Sequence, residues 1–143
     1  MKTFKIPSLK NITGDKPTSD RNAKKSILAR GCDPYLSLKA SKAIPPLIGN
    51  PEYVPVTNDI DFLEKLKSRQ WSVVYFAPGA CRYSEAKLPI PGSNSSTLGW
   101  TLAEYKDLIM ELQGNDVKMV ETPYESESIN FLARALETAR ETK

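Results

Sequence analysis

Trp71-Ser72-Val73-Val74-Tyr75-Phe76-Ala77, closed by Pro78-Gly79, decides the fold of this chain. The run is almost wholly apolar, β-branched or aromatic, which is the composition of a strand buried on both faces. Pro-Gly then breaks it. Upstream, Tyr53-Val54-Pro55-Val56 reads as a strand whose proline confines it to an edge or a strand entry. Between the two, Thr57 or Asn58 caps a helix from Asp59 to about Ser68, with Ile60, Leu63 and Leu66 as its stripe. Downstream, Ala80 to Lys87 makes a short helix, and residues 88–100 form a Pro/Gly/Ser loop. Thr101-Leu102-Ala103-Glu104 then opens a helix with a capping box. Val117–Val120 is the next buried strand, ended by Thr122-Pro123, and a last helix runs from about Glu125 to Arg140. Strands alternating with helices in the order β-α-β-α-α-β-α predict an α/β domain of two or three layers. Its sheet is short and mainly parallel, built by right-handed crossovers.

Charge divides the chain differently. Residues 1–50 carry ten of the twenty Lys and Arg but only Asp15, Asp20 and Asp33, whereas the remainder is net acidic. The first stretch is also proline-containing, and its apolar residues lack a sustained period. Residues 19–30 read as a short helix stopped by Gly31. Residues 33–52, with Pro34, Pro45, Pro46 and Pro51, read as an irregular strap. The expected organisation is therefore an extended basic arm and strap over 1–52 and a compact α/β domain over 53–143. Lys2, Lys5, Lys10, Lys24, Lys25 and Arg30, with the apolar Leu36, Leu38 and Ile44, are the candidate partner-binding residues of that arm.

Composition narrows the chemistry. There is no histidine and there are two cysteines, Cys32 and Cys81. Within these residues a Ser–His or Cys–His dyad and the usual Cys/His zinc sites are excluded, and no C-x-x-C occurs. No metal site or cofactor is expected. No run of about 18 apolar residues exists to span a bilayer, and the amino terminus lacks the apolar core of a secretory signal, so the expected location is intracellular.

The segment most suited to chemistry is Phe76-Ala77-Pro78-Gly79-Ala80-Cys81-Arg82-Tyr83-Ser84, at the carboxyl end of the central strand, where parallel sheets place ligands. A cysteine in the first turn of a helix beside Arg82 favours a lowered thiol pKa. Equally, Cys81 suits a small buried apolar position. The segment resembles the thioredoxin and glutaredoxin superfamily: Val73-Val74-Tyr75-Phe76 leads to Cys81-Arg82-Tyr83-Ser84, with the cysteine five residues beyond the phenylalanine. The resemblance implies Cys81 as the reactive thiol, with Ser84 at the position of the resolving cysteine. The same turn has the makings of an anion site, with Gly79 exposing backbone N–H groups and Arg82 closing over a phosphate or carboxylate. It carries neither nucleotide-binding glycine signature.

Three functions follow as expectations. The first is a non-enzymatic structural or interaction subunit of a larger assembly, docked by its basic arm on other protein subunits, or on nucleic acid or an acidic surface. The second is a thioredoxin-like thiol protein using Cys81. The third is anion or phosphate binding at residues 78–84.

Overall fold

The computed structural model describes residues 20–143. Its four strands are β1 (Ser26–Arg30), β2 (Glu52–Val56), β3 (Val73–Phe76) and β4 (Lys118–Glu121). They form one sheet in the order β2-β1-β3-β4, every neighbouring pair parallel. The helices are α1 (Pro34–Ala43), α2 (Asp59–Ser68), α3 (Pro78–Glu85), α4 (Leu102–Gln113) and α5 (Glu125–Thr138), with a 3₁₀ turn at Pro45–Leu47. From β2 onward the order is the expected β-α-β-α-α-β-α, and the fold is α/β.

The amino-terminal third corrects the sequence reading. Residues 26–30 form no helix but a strand, β1, at the centre of the sheet and buried along its whole length. Residues 33–52 are not an irregular strap: they contain α1, the 3₁₀ turn and the first residue of β2. The compact unit therefore begins before residue 53. Two features explain the misreading. Pro34 looks like a breaker but occupies the first helical turn, where its missing N–H costs nothing, and the Asp33 carboxylate accepts from the Tyr35 and Leu36 N–H groups. Arg30 looks like a solvated helix end, yet tertiary pairing buries it within a strand. The Lys2, Lys5 and Lys10 part of the arm lies outside the described residues.

Two apolar clusters flank the sheet. On one face Leu28, Val56, Val74 and Phe76 pack against Phe62 and Leu66 of α2, Ala80 of α3, and Tyr105 and Ile109 of α4. Phe62, Phe76 and Tyr105 meet edge-on, with centroids 5.7–6.2 Å apart. The core stripe of α2 thus includes Phe62, while Ile60 points outward, 69% exposed. On the other face Ile27, Ala29, Val73, Tyr75 and Val120 meet Leu132 and Leu136 of α5. Helix α1 lies on this second face and buries none of its own residues.

Polar groups tie these layers together. Arg30 and Asp59 form an ion pair, Nε to Oδ1 2.9 Å, with no exposed side-chain surface on either partner. Arg30 also donates to the carbonyls of Gly31 and Pro91. The second oxygen of Asp59 accepts from the Thr97 hydroxyl at 2.6 Å and the Tyr105 hydroxyl at 2.5 Å. This cluster fastens the 88–100 loop to β1 and α2. Gly92 lets the loop approach: its φ is +89°, and a Cβ there would lie 2.5 Å from the Thr57 carbonyl oxygen. At the opposite end of the sheet, Gln113 accepts from the Trp71 N–H and donates to the carbonyls of Leu66 and Arg69, satisfying the end of α2 and the approach to β3 together.

Candidate ligand-binding site

Among the described residues the sheet has one topological switch point, between β1 and β3. The chain leaves β1 toward α1 on one face, and leaves β3, the adjacent strand, toward α3 on the other. Loops that part in this way open a crevice beyond the carboxyl ends of the strands, the usual ligand position in open α/β sheets. The crevice is present. A cavity of about 610 Å³ is bordered by Gly31, Cys32 and Asp33 after β1 and by Ala77, Pro78 and Gly79 after β3.

Its shape follows from residue size. Ala29 stands between Tyr75 of β3 and Pro55 of β2 in the register, and Ile27, one pair before, faces Tyr53. A small side chain at the middle of the sheet, beside Tyr75 and with Tyr53 one position away diagonally, leaves a hollow. Leu36, Ser37, Ala40 and Ala43 of α1 and Ile44 form one wall, and Ser128 and Ile129 of α5 contribute to the other. The lining is predominantly apolar, with hydroxyls and a thiol set into it. A cavity of this size suits a small organic molecule.

The polar groups differ in how they are engaged. The Tyr75 hydroxyl donates to Ser128 Oγ at 2.7 Å. The Tyr53 hydroxyl has no hydrogen-bond partner among the described residues, and burial pushes its pKa well up. Asp33 spends its Oδ1 on the α1 cap. Arg82 and Glu125 pair across the mouth at 3.3 Å, both exposed, and Arg82 also donates to the Pro123 carbonyl. The Arg82 hydrogen bonds hold the Glu125 carboxyl below the usual carboxylate range. Cys32 is half-buried at the rim and lies over Gly79, where a Cβ would come within 2.7 Å of its Sγ.

The residues singled out from sequence separate here. Gly79 and Arg82 both line the cavity, so the 78–84 turn does border the crevice, with the Arg82 charge already matched by Glu125. Cys81 faces the other way. It sits in the fourth position of α3, its N–H donates to the Ala77 carbonyl, and its side chain is buried. Burial, then the Glu85 and Glu121 carboxylates, push its thiol pKa up, against the lowering expected beside a helix start. Ser84 accepts from the Leu102 N–H at 3.2 Å and so helps to begin α4. Leu36 and Ile44 line the cavity, Leu38 is exposed on the outside of α1, and Lys24 is exposed. The Lys25 ammonium is tied to the Leu136 carbonyl, and Arg30 is fully buried, which removes Arg30 from any docking surface.

Sequence reading passed over Cys32, Tyr53 and Ala29 as site residues. The available signal was Gly31-Cys32-Asp33-Pro34: a glycine after an apolar run, then a helix cap and a first-turn proline, which is the form of a strand-to-helix loop. Among the described residues no group of three or more Cys, Asp or Glu is arranged to hold a metal ion. No helix among them is long and apolar enough to cross a membrane. No protein-family model matches the chain, and neither a curated protein nor a solved structure matches it.

Proposed function

We propose that this protein is a small-molecule-binding α/β domain whose site is the crevice at the carboxyl ends of β1 and β3. One observation carries the reading: a cavity of about 610 Å³, walled by α1 and α5, lies beyond the carboxyl ends of β1 and β3, where the chain turns toward β2 on one side and toward β4 on the other. The test is an amide-resolved NMR screen of small aromatic and aliphatic fragments against the full chain. Shifts should concentrate at Gly31–Asp33, Ala77–Gly79 and α1. Ala40→Phe, which puts a ring into the cavity from α1, should abolish them while the fold is retained. Fragments that shift only residues elsewhere, or that bind the Ala40→Phe variant equally, would overturn the proposal.

A second reading, a docking subunit of a larger assembly, draws on the exposed apolar residues of α1 and of the 3₁₀ turn after it. Tyr35, Leu36, Leu38 and Leu47 are all more than half exposed, and apolar side chains gathered on one surface element favour a protein partner. Under this reading, native mass determination from the source cells finds the chain in a complex, and the double change Tyr35→Ser, Leu38→Ser releases it. A monomer in both cases ends it.

A further inference from the structure

The polar inventory of the cavity narrows what it takes. At the mouth Arg82 is paired with Glu125, and the Asp33 carboxylate, one oxygen of which caps α1, adds a further negative charge. An anionic ligand would have to displace Glu125 from Arg82, against the repulsion of Asp33. The floor, by contrast, offers Tyr53, whose hydroxyl is unpaired among the described residues, beside Tyr75, whose hydroxyl is already committed to Ser128. Tyr53 is only half-buried and its hydroxyl borders the cavity, so a ligand's polar group can take the place of water on it. Aromatic side chains and small residues around it form a slot suited to a flat body.

We infer that the cavity takes an uncharged, largely aromatic small molecule, positioned by a hydrogen bond to the Tyr53 hydroxyl. This rests on the crevice being the binding site. Three probes of one shape separate the two ideas: 2-naphthol, naphthalene and 2-naphthoate, titrated into the full chain and into the Tyr53→Phe variant. In the wild type, 2-naphthol should bind best, with shifts at Gly31–Asp33 and Ala77–Gly79. Tyr53→Phe should weaken 2-naphthol about three- to tenfold and leave naphthalene unchanged. If no probe shifts the crevice, the binding site itself is wrong, and this inference falls with it. If the probes bind there and Tyr53→Phe changes nothing, the crevice stands and the role of Tyr53 is overturned. If 2-naphthoate binds best, the site selects an anion, and the uncharged class is overturned.

Discussion

Asp59 and Arg30 hold one another where neither side chain has exposed surface, and two hydroxyls complete the carboxylate. Such a pair adds little net stability over an apolar pair, but breaking it leaves a charge stranded. Asp59→Asn should therefore cost about 3–5 kcal/mol, read from the urea midpoint. Tyr105→Phe, which removes one donor and keeps the ring, should cost about 2 kcal/mol. A loss below the error of the fit for Asp59→Asn would mean that Arg30 finds another partner. The two cysteines offer a second contrast. Cys32 is half-buried at the crevice and Cys81 is buried within α3. Iodoacetamide should label Cys32 in the folded protein and reach Cys81 only on unfolding, as peptide mapping would show. Equal labelling of both would contradict the packing of α3. The sequence permits a buried or a reactive Cys81 alike, because the direction of a side chain in a two-turn helix depends on the layer beneath it.

Helix α1 is the least anchored element. It buries none of its residues, and its first turn is held by Asp33. Asp33→Ala should cost about 1 kcal/mol. Native-state hydrogen exchange should show the amides of α1 opening before those of α2 and α4, whose apolar stripes are packed. Uniform protection across the three helices would argue that α1 is better packed than its exposure suggests. The same contrast explains which elements were legible. α2, α4 and α5 announce themselves by a 3.6-residue apolar period, and α4 also by Thr101 and Glu104, whose carboxylate accepts from the Thr101 N–H at 2.6 Å. β3 does so by a run of large apolar residues. By contrast, α1 has little amphipathic pattern to read, since its inner face looks into a cavity rather than onto a core. Ser26-Ile27-Leu28-Ala29-Arg30 ends in a charge that only the distant Asp59 makes tolerable, so no local pattern marks it as a central strand. The crevice lies between precisely these two elements, and for that reason most of the site was hidden while the fold class was not.

For the molecule as a whole, the titrating groups of the core act mainly in alkali. Burial raises the pKa of Tyr53, Tyr75 and Tyr105, the last helped by the Asp59 carboxylate, and that of Cys81. Their protonated forms are favoured in the folded state, so the associated stability is complete below the unfolded values, 9.0 for the thiol and 10.0 for the phenols, and is lost as pH rises toward the raised folded ones. The urea midpoint should fall between neutral pH and about pH 11. Tyr53→Phe and Tyr105→Phe should each flatten that decline, and an unchanged midpoint would contradict the raised pKa of these phenols. On the acid side, Arg69 lowers the pKa of Glu52, so the smaller contribution of that pair is present above 4.5 and fades as pH falls through the folded value. The edges of the sheet carry one last implication. β2 binds β1 through the backbone of the alternate residues Glu52, Val54 and Val56, which leaves the backbone nitrogens of Tyr53 and Pro55 facing the free edge. Proline has no amide hydrogen to offer there. A neighbouring chain that tried to add itself as a fifth ribbon would find half of the donors missing, so crowded copies are deterred from zipping into fibrils along that border.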